Sequence, residues 1–397
     1  MTTTKQIHSP LPKPKFIFFL CAIISSIIPI YIACAESPGR GEKRIKLDPF
    51  GKPLQDQGRP YSISPWSCVL DSQTGLIWEV KSANSGLQAA HHTYSWLENN
   101  DSQGTHGAQQ SVLCTHSICN TRDYINAINE QKLCGINSWR LPNRWELASL
   151  IDYHRSEGKT SIDTAWFPNT VHEFYWSSTT DIQDPGSAWG IGFRFGFDYA
   201  YPKADPGRVR LVSGPEFHAD GPCAQDTQKP GNTQNTKRSQ STPQFPRTRN
   251  TRNKNQETRF IAEVQGTVFD KHSGLRWRRC SLGQQWDGKQ CQGSSQAMPL
   301  SAARQQLVAL ADARGSWTLP EVNELHTLTQ SPCTSAAING QLFPGTPGAA
   351  YWSATPFASD HHRQWVINFK YGENDTLIAT ENAFVRPVLR IHAPATR

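Results

Sequence analysis

Two glutamates in matching positions are the residues of this chain best suited to acid–base chemistry. Glu146 and Glu324 each lie four residues after a Leu-Pro step, and Asn143 stands three residues before Glu146. A carboxylate near a helix start accepts hydrogen bonds from free backbone N–H groups, and a polar cap three positions earlier completes a capping box. We therefore interpret both glutamates as helix caps rather than as catalytic acids or bases.

Two arginines recur in V-R-x-V segments, Arg210 and Arg386. The sequence predicts that each forms an ion pair within its own domain, with the capping glutamate as a candidate partner. A third arginine, Arg140, is replaced by Thr318 at the equivalent place. A catalytic arginine common to both halves of the chain is therefore not predicted.

Histidines and cysteines between residues 91 and 119 only partly match the spacing of metal ligands. They form a C-x-H-x-x-C run with three histidines upstream: Cys114, His116 and Cys119, preceded by His91, His92 and His106. Zinc sites usually combine closely spaced ligand pairs, and exported cysteines more often form disulfides. The acidic segment 373–375 is the one candidate for a calcium site, and the first half has no counterpart. We predict no metal ion and no other cofactor.

These residues belong to a set of motifs that the chain contains twice in the same order. The matching segments are 71–78 with 270–277, 138–142 with 316–320, 146–147 with 324–325, 167–168 with 343–344, 175–179 with 351–355, 189–193 with 365–369, Gly196 with Gly372, and 209–212 with 385–388. Each copy exceeds one hundred residues, which is enough for a core of its own. We predict two globular domains in tandem, over residues 61–215 and 260–393.

Each copy is predicted to begin with a short strand, a turn and the G-L-x-W strand, and to continue with two helices and further strands. Residues 124–133 and 300–310 carry apolar side chains at helical spacing, and a second helix begins after the Leu-Pro step with Asn143 as the cap of the first copy. Apolar residues alternate over 189–193 and 365–369, which indicates strands. The predicted fold class is α+β, with two helices and a small twisted antiparallel sheet in each copy.

The first 35 residues have the layout of a secretory signal peptide. A basic start with three lysines precedes an apolar run over residues 16–33, and Ala33-Cys34-Ala35 offers a cleavage site. Cleavage after Ala35 lowers the formal net charge from +7 to +4, because it removes three lysines and no acid. An uncleaved anchor and a lipid on Cys34 are the alternatives. We expect an exported protein, periplasmic, on the outer surface or secreted, with no later membrane span.

Eight of the ten cysteines follow this segment, an even number that fits disulfide bonds in an oxidising compartment. Cys280 and Cys291 flank a glycine-containing stretch that can return the chain, so we predict that they pair. A Cys223–Cys333 bridge then ties the end of the first copy to the second. The remaining four are expected to pair among themselves: Cys68, Cys114, Cys119 and Cys134.

A polar segment, residues 224–259, separates the two copies. It is rich in Gln, Asn, Thr, Ser and Pro, and it contains eight basic residues against two acids. Such a composition predicts a disordered basic linker, because it buries too little apolar surface to offset the entropy of ordering. A solvated spacer and an arm that attaches to an anionic polymer are the two interpretations. We expect the copies to fold independently on either side of it.

The ordered set D-x-x-T-G-L-x-W, S-W-R-L-P-x-x-x-E-L, F-P, Y-W-S-S-T, W-x-I-x-F-x-x-G and V-R-x-V resembles the C-terminal domain family of Lcl, the collagen-like bacterial adhesin. The resemblance covers both copies, although no collagen-like tract is present. The W-R-L-P-x-x-x-E element is also similar to formylglycine-generating and phage tropism-determinant domains. That similarity implies a C-type-lectin-like fold. The family's adhesin binds sulfated glycosaminoglycans, so the resemblance implies an anionic polysaccharide as a first ligand to test.

Residues kept in both copies are expected in the core, above all eight tryptophans: Trp78, Trp139, Trp176, Trp189, Trp277, Trp317, Trp352 and Trp365. Ligand specificity is expected where the copies differ, in loops and strands after the Y-W-S segments. The candidate ligand-binding residues there are Arg194, Tyr199, Tyr201, Lys203, Arg208, His361, His362, Arg363, Lys370 and Tyr371.

These features favour an exported binding module, not an enzyme, that recognises a glycan or a surface protein in adhesion. We also expect a homo-oligomer and no nucleic-acid partner. An enzyme of the formylglycine-generating type is the alternative, but its chemistry uses a late reactive cysteine pair, and no cysteine follows Cys134 or Cys333 in the predicted strands. A structural component of a surface appendage is the third interpretation.

Overall fold

The computed structural model describes residues 44–54, 66–97, 120–155, 159–216, 259–311, 315–330 and 336–390. Within these ranges the protein is a mixed structure with four α-helices and several small antiparallel sheets, and strands outnumber helices. The helices are α1 (Thr121–Gln131), α2 (Arg144–Ala148), α3 (Leu300–Ala309) and α4 (Val322–His326). None of them has the length and apolar content that a membrane crossing requires. The predicted signal peptide and all of the predicted linker except Arg259 lie outside the described residues.

The strands of the two copies form the same two kinds of sheet. Those of the first copy are β1 (Arg44–Leu47), β2 (Cys68–Asp71), β3 (Ile77–Glu79), β4 (Phe174–Thr180), β5 (Ser187–Gly192), β6 (Phe197–Pro202) and β7 (Val212–Ser213). Those of the second are β8 (Phe260–Glu263), β9 (Thr267–Asp270), β10 (Leu275–Arg278), β11 (Gln285–Trp286), β12 (Cys291–Gln292), β13 (Ala350–Pro356), β14 (Arg363–Asn368), β15 (Glu373–Ile378) and β16 (Val388–Arg390).

A four-stranded and a three-stranded antiparallel sheet recur in each copy. The four-stranded orders are β1-β2-β3-β7 and β8-β9-β10-β16, and the three-stranded orders are β4-β5-β6 and β13-β14-β15. Strands β11 and β12 add a hairpin to the second copy. Strand β1 lies before residue 61, where the sequence places the start of the first copy, and it pairs with β2 from Arg44↔Asp71 to Leu47↔Cys68. The copies thus share one topology, as the repeated motifs predict.

The matching segments D-x-x-T-G of the first copy and D-x-x-S-G of the second form the turn between the two central strands of each four-stranded sheet. The side chains of Asp71 and Asp270 accept the backbone N–H two residues later, at 2.9 and 3.0 Å. Gly75 and Gly274 follow with φ of +73° and +72°. A side chain is rarely tolerated at such positive φ, so the motif specifies this turn through its glycine as well as its aspartate.

The short helices begin where the sequence predicts. Asn143 accepts the backbone N–H of Glu146 at 2.9 Å, and the Glu146 carboxylate accepts the N–H of Asn143 at 2.8 Å. In the second copy Glu321 takes the place of Asn143, and its N–H donates to Glu324 at 2.8 Å. The interpretation of both glutamates as helix caps is confirmed.

The described part of the chain contains three hydrophobic clusters. One lies in the first copy around Trp96 and Trp176, and one in the second around Trp317 and Trp352. The third combines buried residues of both copies, and Lys43–Arg397 forms one compact unit. This packing does not favour two independently folding domains, because separation would expose the shared cluster to water.

Reciprocal hydrogen bonds join the edge strands β6 and β15 of the two copies. Asp198 and Asn374 hold equivalent positions on these strands, two residues after the matching glycines. The backbone N–H of Asp198 donates to the Asn374 side chain at 3.1 Å, and the N–H of Asn374 donates to the Asp198 carboxylate at 2.8 Å. The copies therefore meet with an approximate two-fold relation.

The short helices repeat this relation on a neighbouring part of the contact. The Trp145 indole N–H of α2 donates to the Thr329 hydroxyl at 2.6 Å. Asn323 of α4, the counterpart of Trp145, donates to the carbonyl of Ile151 at 3.5 Å. Each copy thus offers the same two elements to the other, a helix and an edge strand.

Candidate functional site

The repeated tryptophans are core residues, as predicted. All eight are buried, with no more than 8% of any side chain exposed. The indole N–H of Trp176 donates to the carbonyl of Tyr94, and that of Trp352 donates to the carbonyl of Met298, both at 2.8 Å. These buried rings are part of the scaffold.

The capping glutamates are each neutralised by an arginine of the same copy. Arg140 donates to both carboxylate oxygens of Glu146 at 2.7 Å. Thr318 replaces Arg140 in the second copy, and Arg390 of β16 reaches Glu324 at 2.5 Å instead. The second copy therefore supplies the same charge from a different strand.

The predicted ion pair between Arg210 and the capping glutamate is wrong. Arg210 is fully buried and donates to the backbone carbonyl of Glu79 at 2.7 Å and to the Thr170 hydroxyl at 2.8 Å. Its guanidinium lies 4.9 Å from the centre of the Phe167 ring. The flat, delocalised cation thus bridges a strand and a loop through hydrogen bonds and ring contact.

Arg386 makes the same contacts in the second copy. It donates to the Thr346 hydroxyl at 2.5 Å and lies 5.1 Å from the centre of the Phe343 ring. Each ring and each hydroxyl belong to one F-P-x-T segment, residues 167–170 or 343–346. The V-R-x-V arginine is therefore a repeated structural residue, and the F-P-x-T segment is its partner.

Within the described residues, a buried polar triad occurs in the first copy alone. Lys81 donates to the Glu79 carboxylate at 2.8 Å and to the Tyr124 hydroxyl at 2.7 Å, and all three residues are buried. The backbone N–H of Leu211 binds the second Glu79 oxygen at 2.9 Å. Burial lowers the pKa of Lys81 to about 8, although Glu79 opposes this shift. In the second copy Cys280 occupies the place of Lys81.

A charged network holds the contact between the copies. Arg144 donates to the Asp198 carboxylate at 2.6 Å and to the carbonyl of Gly372 at 2.7 Å, and His326 lies 3.3 Å from the same Asp198 oxygen. The Arg144 guanidinium also lies 3.6 Å above the Trp189 ring. Burial alone would raise the pKa of Asp198, but Arg144 and His326 outweigh it and lower this pKa to about 2.

A cleft of about 480 Å³ opens between the copies, within the size range of small-molecule sites. Its polar lining is Arg44, Ser149, Asp152, Tyr153, His154, Asp163, Glu321, Asn323, Glu324 and Thr355. The carboxylates already have internal partners: Asp163 pairs with Arg155 at 2.8 Å, and Glu321 accepts the Thr355 hydroxyl at 2.5 Å. The excess of carboxylates does not fit an anionic polysaccharide.

Two predicted ligand-binding residues of the first copy belong to the scaffold instead. Lys203 is buried with its ammonium 4.1 Å above the Trp96 ring. Arg208 is also buried, and it donates to the carbonyl of Ala90 at 2.9 Å and to Glu173 at 3.1 Å. Their charges are engaged inside the protein, which does not favour the predicted contact with a ligand.

The other candidates of the first copy lie on or beside strand β6. Arg194 is exposed before the turn that leads into this strand. Tyr199 and Tyr201 lie on one face of the strand, and Tyr199 is 40% exposed. Burial and the neighbouring Tyr201 raise the pKa of Tyr199 above its usual value. The two tyrosines are the candidates that the structure brings together.

The candidates of the second copy lie at opposite ends of strand β14. His361 and His362 are exposed with ring centres 4.3 Å apart, and Arg363 donates to the Thr376 hydroxyl at 2.8 Å. Lys370 and Tyr371 lie in the turn beyond the far end. Six strand residues span roughly 20 Å, so these side chains do not form one site.

Phe174 completes a group with the two tyrosines that we call the aromatic shelf: Phe174, Tyr199 and Tyr201. The Phe174 ring centre lies 4.9 Å from that of Tyr199 and 5.1 Å from that of Tyr201. Gly190 of β5 makes room for it, since a Cβ there would lie 2.3 Å from the Phe174 ring. Sequence reasoning missed Phe174 and Gly190, although their absence from the second copy was a visible signal.

Two disulfides lie within the described residues. Cys280 bonds to Cys291 across the β11–β12 hairpin, the pairing that the sequence predicts, and Cys68 bonds to Cys134. The cysteines predicted to pair elsewhere lie outside the described residues: Cys114, Cys119, Cys223 and Cys333. His106 and His116 lie there too. Among the residues that are described, no three His, Cys, Asp or Glu side chains are placed to hold a metal ion.

The Lcl C-terminal domain family matches residues 67–213 and 266–389, which is more than half of the chain. The two stretches correspond to the two copies described above. No curated protein and no solved structure matches the chain.

Proposed function

We propose that this chain, which belongs to the Lcl C-terminal domain family, is an exported module that binds a glycan or a protein at a cell surface. Membership of this family indicates a surface-associated, adhesin-like binding module. The disulfides favour an oxidising compartment, because such bonds persist there. We propose a C-type-lectin-like fold for each copy, supported by its pair of helices and its antiparallel sheets.

The observation that carries this proposal is the division between kept and changed residues. The tryptophans and the V-R-x-V arginines common to both copies are buried, and Arg210 and Arg386 each bond to a threonine of their own copy. On β6 and β15, by contrast, Tyr199 stands where the second copy has Asp375. A constant scaffold that presents different outward side chains is how binding folds carry specificity.

Binding is favoured over catalysis by the state of the strongest acid–base candidate. The Glu146 carboxylate is fully buried, and its oxygens accept hydrogen bonds from Arg140 and from the backbone N–H of Asn143 at the helix start. A general acid or base must reach the proton that it transfers. The glutamate is therefore proposed to stabilise the fold and not to react.

The test is a binding screen of the whole exported chain. Immobilised glycans and host-surface proteins are probed at physiological salt, and hits are titrated by surface plasmon resonance. We expect saturable binding to at least one glycan or protein. Folded protein, verified by circular dichroism and intact disulfides, that binds neither class would contradict the proposal.

A further inference from the structure

We propose that the aromatic shelf of the first copy binds the C–H face of an uncharged pyranose ring in a glycan. This inference rests on the proposed binding function, to which it adds the place and the class of ligand. It concerns one copy alone, because the second copy lacks the shelf.

The shelf is built by an exchange of large and small residues between adjacent strands. The first copy has Phe174 on β4 and Gly190 on β5, whereas the second has Ala350 and Val366 at these places. In the second copy Val366 is buried in the core. In the first copy glycine leaves this space to the Phe174 ring, which lies across β5 and contacts both tyrosines of β6.

The rings of Tyr199 and Tyr201 lie nearly perpendicular to each other. Their centres are 6.3 Å apart and their planes are inclined at 84°. Aromatic faces attract the C–H groups of an apolar ring face, and a second ring at a right angle limits how that face can slide. A pyranose offers one such face with hydroxyls around its edge, so it fits both rings at once.

The phenol hydroxyls favour a glycan over an apolar protein surface. Among the described residues, neither the Tyr199 nor the Tyr201 hydroxyl has a hydrogen-bond partner. Covering them with an apolar partner would cost about 1–3 kcal/mol for each buried, unsatisfied hydroxyl. The hydroxyls of a sugar instead donate to them and accept from them while its C–H face packs on the rings.

The two cations that follow strand β6 favour an uncharged sugar over a sulfated one. Lys203 and Arg208, the cations that follow β6, are buried and engaged with Trp96 and Glu173. A sulfated chain on the shelf would lose hydration without gaining ion pairs from them. The observations therefore favour stacking and hydrogen bonds over charge as the basis of recognition.

The test uses the whole chain with defined soluble sugars. The probes are oligosaccharides that end in galactose, glucose or N-acetylglucosamine, with a heparin oligosaccharide as the anionic comparison. We expect at least one neutral probe to bind. Tyr199→Ala and Tyr201→Ala should each weaken that binding roughly tenfold or more, and Tyr199→Phe less, because the ring remains.

The second copy supplies matched controls. Asp375→Ala and Leu377→Ala change the equivalent positions of β15 and should leave the affinity unchanged. Circular dichroism and thermal melting check that every variant is folded, which is expected for Tyr199→Ala because this side chain is 40% exposed.

The outcomes separate this inference from the proposed function. Neutral-sugar binding that survives loss of both tyrosines overturns the shelf and leaves the binding function standing. Binding to heparin alone, or to a protein and no sugar, has the same consequence. A folded chain that binds no probe, glycan or protein overturns both.

Discussion

The two copies keep the same structural roles but fill some of them with different residues. The first copy neutralises its capping glutamate with Arg140, and the second does so with Arg390 of another strand. At the place where the first buries Lys81 in a polar triad, the second forms a disulfide through Cys280. The first difference keeps a positive charge on the capping glutamate from another strand, and the second replaces a polar triad by a covalent crosslink.

The comparison also locates where the copies differ without any such compensation. The arginine, phenylalanine and threonine of the V-R-x-V and F-P-x-T segments are the same in both. The outward positions of β6 and β15 are not, since the second copy has Asp375 and Leu377 at the places of Tyr199 and Tyr201. Positions that differ between the copies, with no other residue compensating for the change, are therefore the better candidates for ligand contact.

The largest effect is expected from the arginine that both copies keep. Arg210→Met and Arg386→Met should each lower the free energy of unfolding by roughly 3–5 kcal/mol, because each leaves a buried carbonyl and hydroxyl without their donor. Urea unfolding followed by tryptophan fluorescence measures this. If one of the two substitutions left the free energy of unfolding unchanged, the arginine would not be equally important for the stability of both copies.

The next effect tests the triad against the disulfide. Lys81→Met should cost roughly 3 kcal/mol, because it leaves the Glu79 carboxylate buried beside no ammonium. The Cys280→Ser/Cys291→Ser double variant should cost roughly 2–4 kcal/mol. The double variant Glu79→Gln/Lys81→Met should recover part of the loss, as thermal melting would show. No recovery would mean that packing, rather than charge pairing, dominates the triad.

Burial of Lys81 also predicts a pH dependence that the second copy lacks. Its pKa is lowered to about 8 in the fold, against about 10.4 for an unfolded lysine. Between these values the unfolded chain binds more protons, so the stability contributed by this lysine increases as pH rises from about 8 toward 10. Unfolding of the wild type and Lys81→Met over this range measures it. If the unfolding free energies of the two proteins changed equally with pH, Lys81 would not be the source of this pH dependence.

The contact between the copies should weaken in acid. The Asp198 pKa is lowered to about 2, so its stabilisation is complete above the usual aspartate pKa near 4 and is lost as pH falls toward 2, on the order of 2 kcal/mol. Arg144 and His326 face this carboxylate, and Glu373 lies near enough to interact. Asp198→Asn should be less stable at pH 6 and should change less between pH 4 and 2. An equal change with pH in both proteins would argue against this.

The smallest effect separates the two capping arginines. Arg140→Ala uncovers a fully buried Glu146, whereas Arg390→Ala affects a Glu324 side chain that is 23% exposed. We expect a loss of about 1–3 kcal/mol for the first and about 1 kcal/mol or less for the second. The reverse order in denaturant titrations would show that exposure does not set the value of these pairs.

Features fixed by neighbouring residues were predictable from the sequence. The Asn143–Glu146 capping box, the D-x-x-T-G turn and the Cys280–Cys291 hairpin all close within about a dozen residues. The buried tryptophans were predictable for another reason, since they recur at matching places in both copies. Because the chain contains two copies, residues that are the same in both indicate which positions belong to the core.

Features that depend on how elements meet were not predictable. Asp198 and Asn374 are 176 residues apart, and neither stands in a motif with a recognised partner. Arg390 reaches Glu324 because β16 and α4 lie side by side, which no periodicity records. Strand β1 is four residues long and at a sheet edge, so its pattern is too short to predict a strand.

The reciprocal pair of Asp198 and Asn374 determines which copies are compatible with one another. If two first copies from different molecules met through the same edge, a buried carboxylate would face a carboxylate, at a cost of several kcal/mol on the order that like charges impose. The carboxylate–amide pair carries one charge, and Arg144 matches it. A single carboxylate thus disfavours contact between two first copies and favours the union of a first copy with a second copy.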